Sequence, residues 1–169
     1  MTTIIERTEA DLVELDGLAR KVRGLDGYPV WLPDDDMLRF LAVPASLAAW
    51  TALDDMGVLV GHVALNASSS EAVHEVLRSC GLDDQHVGVV ARLFVSPNAR
   101  RRGVAQVLLG HAATAAREAG LVPVLDVVST FSPAIALYER AGWTRLGKAT
   151  VARPDGESID EVVFGLLPG

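Results

Sequence analysis

Apolar and polar residues follow one another with two different periods along the chain, and the period switches from one segment to the next. Apolar residues three or four positions apart predict amphipathic helices, whereas short runs rich in Val, Ile, Thr and Leu predict strands. In the first half, the pattern predicts a strand at 4–7, a helix that starts near residue 8 and stops at Gly24, a short helix at 37–41, and strands at 47–53 and 58–65. The four residues 54–57 between the last two strands predict a β-hairpin.

The second half of the chain continues with alternating strands and helices. Residues from Ser68 to Glu71 match a capping box, which predicts a short helix behind them, with Gly81 just after its end. The remaining predicted elements are a strand at 87–95, a helix at 104–119, a strand at 121–128, a helix at 133–141, and a final hairpin of 143–151 and 158–166. Together these elements predict an α/β or α+β fold, with a mixed sheet flanked by helices.

Length and composition favour one globular domain over residues 1–169. The chain is 50% hydrophobic and 22% charged, a balance that is typical of a packed core and excludes a disordered chain. Its 15 basic and 22 acidic residues give a net charge of −7, so nucleic acid is not an expected partner. The apolar runs are too short to span a bilayer. A membrane is therefore not expected as a partner either.

The cysteine content and the N-terminus bear on the compartment. Cys80 is the only cysteine, so no intrachain disulfide can form. The first residues lack the apolar stretch of a signal peptide. These two observations predict a cytoplasmic protein. No Cys or His residues have the spacing that is typical of a metal site, so no metal is expected.

The most specific chemistry lies where a predicted strand meets a predicted helix. The strand ends at Pro97 and the helix begins near Gly103. Three arginines stand between them, Arg100, Arg101 and Arg102. A helix N-terminus carries unpaired N–H groups and a partial positive charge, and a glycine lets an anion approach the backbone closely. The segment therefore predicts a site for a pyrophosphate-like anion, with a solvated arginine-rich loop as the alternative.

Two sequence blocks resemble those of the GNAT superfamily of N-acetyltransferases. Arg100, Gly103 and Ala105 match the family signature Gln/Arg-x-x-Gly-x-Gly/Ala. Downstream, residues 132–143 are similar to the family block Ala-Ile-x-Leu-Tyr-Glu-x-x-Gly-Phe. The resemblance extends over residues 87–147 and implies a GNAT-like fold with a mixed, mostly antiparallel sheet.

The resemblance implies acetyl-CoA as co-substrate and assigns roles to residues of both blocks. In the family, the strand pairs its backbone with the pantetheine arm, and the loop and helix start wrap the pyrophosphate. On this chain the implied pantetheine residues are Leu93, Phe94 and Val95, and the implied pyrophosphate residues are Arg100, Arg101, Arg102, Gly103, Val104, Ala105 and Gln106. Tyr138 is implied to lie near the sulfur, where its hydroxyl can protonate the departing thiolate.

The chain departs from the family pattern in two places. Phe131 stands where the family often has an Asn, seven residues before the Tyr, so one polar contact to the cofactor arm is not expected. The strand before the signature often carries a Glu that serves as base, but residues 89–91 are Val, Val and Ala. The general base therefore stays open among His62, His86 and water, because a neutral imidazole accepts protons near pH 7.

The predicted function is acetyl-CoA-dependent acetylation of an amine by direct attack of the acceptor. Two alternatives stay open: a transferase that uses a longer acyl-CoA, and a non-catalytic module that binds or senses acyl-CoA. The acceptor is expected to be a small-molecule or peptide amine, and a homodimer is a further open option. Four aspartates predict a cationic acceptor, with a solvated acidic loop as the alternative; they are Asp26, Asp34, Asp35 and Asp36.

Overall fold

Seven strands form one sheet in the computed structural model, which describes every residue from Met1 to Gly169. The strands are β1 (Thr3–Glu6), β2 (Ser46–Leu53), β3 (Leu59–Asn66), β4 (Val87–Val95), β5 (Val122–Val128), β6 (Thr144–Ala152) and β7 (Ser158–Gly165). The helices are α1 (Leu12–Asp26), α2 (Met37–Leu41), α3 (Glu71–Ser79), α4 (Val104–Glu118) and α5 (Ser132–Arg140). Across the sheet the strand order is β1-β2-β3-β4-β5-β7-β6.

Antiparallel and parallel strand pairs both occur in this sheet. β1 runs antiparallel to β2, and β7 runs antiparallel to both β5 and β6. β4 and β5 are parallel, and their ladder consists of three residue pairs, 87–89 opposite 122–124. A parallel pair needs a crossover between its strands, and α4 provides it. The predicted fold class, α/β (α+β) with a mixed, mostly antiparallel sheet flanked by helices, is confirmed.

Two compact units divide the chain. The first unit comprises Met1–Leu65 and Arg92–Ala112, and the second unit comprises Asn66–Ala91 and Ala113–Gly169. Strand β4 therefore starts in the second unit and ends in the first. That one domain spans residues 1–169 stays a prediction. No helix of the chain combines the length and the apolar composition that a membrane span requires.

The apolar core of the first unit gathers one face of α1 with residues of α2, β3 and β4. Its buried members are Leu15, Ala19, Val22, Leu32, Met37, Leu41, Leu59 and Phe94. Helix α1 runs past its predicted end at Gly24 and stops at Asp26. Gly27 is the residue that ends it, because Gly27 takes the left-handed conformation (φ 75°) and its N–H donates to Arg23 O at 2.8 Å. The prediction that Gly24 ends the helix is therefore wrong.

The core of the second unit packs α3 against strands of the sheet. Its buried members are Val73, Leu77, Val87, Val89, Val124, Ala149 and Val163. Gly147 allows this packing, since a Cβ there would lie 2.8 Å from Val76 Cγ1. The cap of α3 is Ser70, whose side chain accepts from the N–H of Val73 at 3.3 Å. The capping box predicted from Ser68 is wrong, because the third of three consecutive serines caps the helix.

Candidate functional site

The connection from β4 to α4 forms a cradle of backbone groups at the start of the helix. Just after β4, the N–H of Ser96 donates to Val60 O at 2.7 Å. Two later residues take left-handed conformations, Arg101 with φ 62° and Gly103 with φ 77°. The bond that opens α4 runs from the N–H of Val107 to Gly103 O at 3.1 Å. The N–H groups before Val107 therefore have no acceptor inside the helix.

These N–H groups belong to three of the residues predicted to bind a pyrophosphate. They are the backbone groups of Val104, Ala105 and Gln106. Gly103 leaves room in front of them, because nothing lies within 4 Å of the position that a Cβ would take. The helix start thus combines directed donors, a partial positive charge and open space, which suits an anion.

Gly61 of β3 sets how closely α4 approaches the strands beneath it. A Cβ on Gly61 would lie 2.9 Å from Leu108 Cδ1 and 3.2 Å from Phe94 O. Val104 and Leu108, one helical turn apart, are both buried at this contact. The absent side chain therefore fixes the position of the helix start. Sequence reasoning missed this residue, although a glycine inside a predicted strand is a sign of close approach.

The three arginines of the loop differ in their partners. Arg100 forms a two-point ion pair with Asp26, with Nη1 at 3.2 Å from Oδ1 and a second contact between Nη2 and Oδ2. The two side chains are 39% and 41% exposed. Arg101 and Arg102 are exposed and form no ion pair. The loop therefore presents two free guanidinium groups beside the helix start, and Asp26 holds the third.

The carboxylate of Asp55 is affected by the positive charge of this loop. The pKa of Asp55 is lowered, chiefly by a hydrogen bond from the N-terminal amino group and by the charge of that group, and to a smaller degree by the charge of Arg102. Arg102 is thus close enough to Asp55 to act on it electrostatically, although the two residues form no salt bridge. The guanidinium of Arg102 is therefore not held in an ion pair and is available to attract an anion through space.

The predicted pantetheine residues use their side chains for packing. Phe94 and Val95 are buried, and Leu93 is half-buried. The Phe94 ring stacks on the imidazole of His62, with centroids 5.2 Å apart and planes at 22°. Just before them, Arg92 interrupts the extended conformation of β4 with φ 56°. A ligand that pairs with this segment would meet mainly its backbone.

His62 does not fit the role of general base. Its side chain is fully buried, its Nδ1–H donates to Arg92 O at 2.8 Å, and its Nε2 accepts from Arg7 Nη1 at 3.2 Å. The carbonyl can only accept and the guanidinium can only donate, so the neutral tautomer is fixed. Burial, together with a smaller effect of the charges of Arg7 and Arg92, lowers the pKa of His62 to about 4. Its one lone pair is already occupied.

The other candidates for acid and base lie in the second unit. His86 is 69% exposed, and its Nδ1 is 3.3 Å from Asp83 Oδ2. Tyr138 is buried on α5, with its ring centroid 5.7 Å from that of Phe164 and 6.3 Å from that of Trp143. The aromatic contacts give Tyr138 a packing role. Its predicted role as proton donor stays a prediction, and His86 and water remain as candidates for the base.

Three of the four aspartates that predicted a cationic acceptor have partners inside the first unit. Asp26 binds Arg100, as described above. Asp35 pairs with Arg20 at 3.2 Å and with Arg23 at 3.5 Å. Asp36 caps α2 by accepting from the N–H of Arg39 at 3.0 Å. Only Asp34 lacks a partner in the structure. Arginines thus neutralise two of the four charges, those of Asp26 and Asp35, which weakens the field that would attract a cation.

Comparison with protein families identifies the fold and the signature together. The model of the Acetyltransferase (GNAT) family matches residues 20–143, a segment that contains the Arg100 signature, the cradle at the start of α4 and the block around Tyr138. The chain belongs to this family. The resemblance drawn from the two sequence blocks is confirmed, and so is the prediction of an acetyltransferase. A comparison with curated protein sequences finds no match.

Solved structures of GNAT acetyltransferases share the fold. Arabidopsis thaliana NAA60 in complex with acetyl-CoA is similar with a TM-score of 0.73 and 18% identity, over 98% of this chain and 97% of that one. The ribosomal-protein-alanine N-acetyltransferase from Brucella melitensis gives a TM-score of 0.71 and 20% identity, over 98% and 99% of the two chains. At these identities the likeness establishes that the sheet and helices have the GNAT arrangement.

Proposed function

We propose that this GNAT protein is an acetyl-CoA-dependent N-acetyltransferase in which an amine acceptor attacks the acetyl group directly. The observation that carries the proposal is the start of α4, where unpaired N–H groups face open space at Gly103 beside two unpaired arginines. In a chain with a net charge of −7, this is a local positive site. The complex of NAA60 with acetyl-CoA supports the choice of donor.

The residues of the cradle fit the diphosphate of acetyl-CoA. The N–H groups of Val104, Ala105 and Gln106 would donate to phosphate oxygens, and Gly103 keeps clear the space that a Cβ would fill. Arg101 and Arg102 would add charge without first leaving a partner. Arg100 would have to exchange Asp26 for phosphate, and an exposed ion pair is weak enough to allow that exchange.

The reaction requires three further functions of the protein. Acetyl-CoA supplies the acetyl group as a thioester, and the protein must hold the amine neutral, donate hydrogen bonds to the developing oxyanion and return a proton to the thiolate. We assign the last function to Tyr138. A phenol near pKa 10 is a weaker acid than a thiol near 8.5, so the proton transfer is uphill by about 2 kcal/mol unless the site adjusts one of them. The amine loses its proton to water or His86.

The decisive experiment measures release of the CoA thiol from acetyl-CoA with a panel of primary amines, beside the melting temperature with and without acetyl-CoA. Saturating acetyl-CoA should stabilise the protein by about 2–4 kcal/mol, which corresponds to a rise of about 5–10 °C for a domain of this size. Release that depends on one class of amine supports the proposal. Stabilisation without turnover of any amine would favour the sensing module instead.

A parallel panel of acyl donors tests the second alternative. If propionyl-CoA or a longer acyl-CoA gives a higher kcat/KM than acetyl-CoA with the same amine, the donor assignment is wrong while the transferase assignment stands. A buried pocket discriminates one methylene group by about 10- to 200-fold. A difference of that size in favour of acetyl-CoA is the expected result.

A further inference from the structure

Two arginines of the first unit meet the end of α2, and neither of them forms an ion pair with a carboxylate. Arg7 Nη1 donates to Leu41 O at 2.7 Å and to His62 Nε2 at 3.2 Å. Arg92 Nε donates to Phe40 O at 3.0 Å. Neither guanidinium has a carboxylate oxygen within 4.0 Å. Both cations are thus bound to neutral groups only.

This state is unusual among the arginines of the chain. The others either pair with a carboxylate or are exposed to solvent; the paired ones are Arg20, Arg23, Arg78, Arg100, Arg145 and Arg153. Arg7 and Arg92 alone are half-buried and lack an anionic partner. Burial lowers the pKa of Arg7, and the charge of Asp11, which forms no ion pair with Arg7, offsets only part of that shift. An anion placed here would offset the rest of that shift.

The Arg92 guanidinium is held as a preformed fork. It lies over the Phe40 ring, with Cζ 4.0 Å from the centroid, and its Nε is bound to Phe40 O. Its two terminal nitrogens form no hydrogen bond within the protein. A planar guanidinium with free terminal nitrogens binds a carboxylate through two parallel hydrogen bonds, and fixing the side chain in advance reduces the entropy lost on binding.

The backbone of Arg92 is also held in an uncommon conformation. Its φ of 56° is left-handed, which a residue with a large side chain rarely adopts. The carbonyl that results from this turn accepts from His62 Nδ1, and His62 is itself stacked on Phe94. Backbone strain that the surroundings maintain in this way is typical of functional positions. Arg92 also directly precedes Leu93, where the proposed pantetheine segment begins.

We propose that Arg92, with Arg7 as a second cation, binds a carboxylate carried by the amine acceptor. The acceptor class is then an amine that also bears a carboxylate, as in amino acids, rather than a polyamine. This inference rests on the proposed function for the identity of the amine, but the carboxylate site itself can be tested by binding alone. It replaces the expectation of a cationic acceptor, because two of the four aspartates behind that expectation, Asp26 and Asp35, are paired with arginines.

A binding experiment tests the site without turnover. N-acetylglycine and N-acetyl-β-alanine are titrated into the CoA-saturated protein, each beside its neutral amide, at constant ionic strength. The acids should bind about 10- to 100-fold more tightly than the amides, which is the range of a charge-assisted hydrogen-bonded pair. Arg92→Met keeps the apolar stem over Phe40 and should remove this difference. Arg39→Met, an exposed arginine on α2, should leave it unchanged.

A turnover experiment gives an independent measure. The ratio of kcat/KM for glycine and β-alanine over that for glycinamide and β-alaninamide is compared between wild type and Arg92→Met. The intrinsic basicity of each amine cancels in that comparison, because the same substrates are used with both proteins. A ratio that falls by about 10-fold or more supports a guanidinium–carboxylate contact.

The outcomes separate this inference from the proposed function. Equal binding of acids and amides by the wild-type protein would overturn the carboxylate site even if acetyl-CoA binds. A missing response to acetyl-CoA would overturn the proposed function even if the acids bind. If Arg92→Met fails to fold, the wild-type comparison of acid and amide still decides, and Arg92→Lys keeps the charge while removing the planar fork.

Discussion

Two positively charged regions of the first unit differ in which of their hydrogen-bond donors are held in place. At the start of α4, the arginine side chains are exposed, and the fixed donors are backbone N–H groups. Beside α2, the arginine side chains themselves are fixed, by carbonyls, an aromatic ring and a neutral histidine. The first arrangement suits a large, multiply charged anion, because the exposed arginine side chains can move to contact it wherever its charges lie. The second suits a small planar anion that must be positioned, because its donors cannot adapt.

The largest expected effect is the loss of acetyl-CoA binding when the first region, at the start of α4, is disrupted. Gly103→Asp places a carboxylate in the open space before the N–H groups, and the like charge should weaken acetyl-CoA binding by more than about 100-fold. The rise in melting temperature with acetyl-CoA should disappear. Gly120→Asp is the matched control, since Gly120 shares the φ of 77° and the open surroundings, so it reproduces the backbone strain elsewhere. An unchanged thermal response in Gly103→Asp would remove the cradle from the cofactor site.

The next prediction tests whether Tyr138, which lies outside both regions, is the proton donor. Tyr138→Phe keeps the ring that packs against Phe164 and Trp143 and removes only the hydroxyl. We expect kcat to fall by about 100-fold with little change in acetyl-CoA affinity or melting temperature. The matched control is Tyr28→Phe, the other tyrosine of the chain, which packs edge-on against Phe40 with centroids 5.9 Å apart.

A structural role of Tyr138 predicts the opposite result. The free energy of unfolding would fall by about 1 kcal/mol if the hydroxyl has a buried partner, and the melting temperature would fall with it. The kcat per folded molecule would stay near that of the wild type. Steady-state kinetics under conditions where chemistry limits turnover, together with a melting curve, distinguish the two results.

A third prediction concerns how the second region depends on pH. The unfolded chain binds a proton at His62 near pH 6.5, whereas the folded protein binds it only near the lowered pKa of about 4. The stability that neutral His62 contributes is therefore present above pH 6.5 and is lost as the pH falls towards 4. Between pH 7 and pH 5 the loss should be about 2 kcal/mol.

Urea unfolding at the two pH values measures this loss. His62→Gln should abolish most of the dependence, and His86→Gln, which changes an exposed histidine, should retain it. Equal pH dependence in wild type and His62→Gln would mean that the buried imidazole is not the group that titrates.

The smallest effect sharpens the contrast between exposed and fixed arginines. Asp26→Asn releases Arg100 from its ion pair, and we expect acetyl-CoA affinity to rise by up to about 5-fold, since exposed pairs contribute at most about 1 kcal/mol. The gain should shrink at high salt. Asp16→Asn serves as control, because Asp16 pairs with Arg20 on the same helix. A loss of affinity would show that Asp26 orients Arg100 for the phosphate instead.

Sequence reasoning succeeded where a pattern is local and failed where distant segments decide. The strand–arginine–glycine–helix segment could be predicted, because a helix start has unpaired N–H groups and a glycine leaves space beside the backbone in any fold. The end of α1 was misplaced because Gly24 and Gly27 are both plausible terminators, and only the conformation of Gly27 decides between them. The Arg7–His62–Arg92 cluster could not be derived, since its members are 55 and 30 positions apart and meet only through the sheet. A charged residue within the apolar strand 87–95 was its one visible sign.

The division of the first unit into two sequence segments has a consequence for synthesis on the ribosome. Leu59 and Leu15 share their core with Phe94, yet residues 66–91 are made in between. At about 5–20 residues per second, the emerging N-terminal segment waits for a few seconds with that core unfinished. Its exposed leucines are then open to chaperones or to neighbouring nascent chains. Variants that slow translation before Arg92 should therefore lower the yield of soluble protein without altering the stability of the molecules that fold.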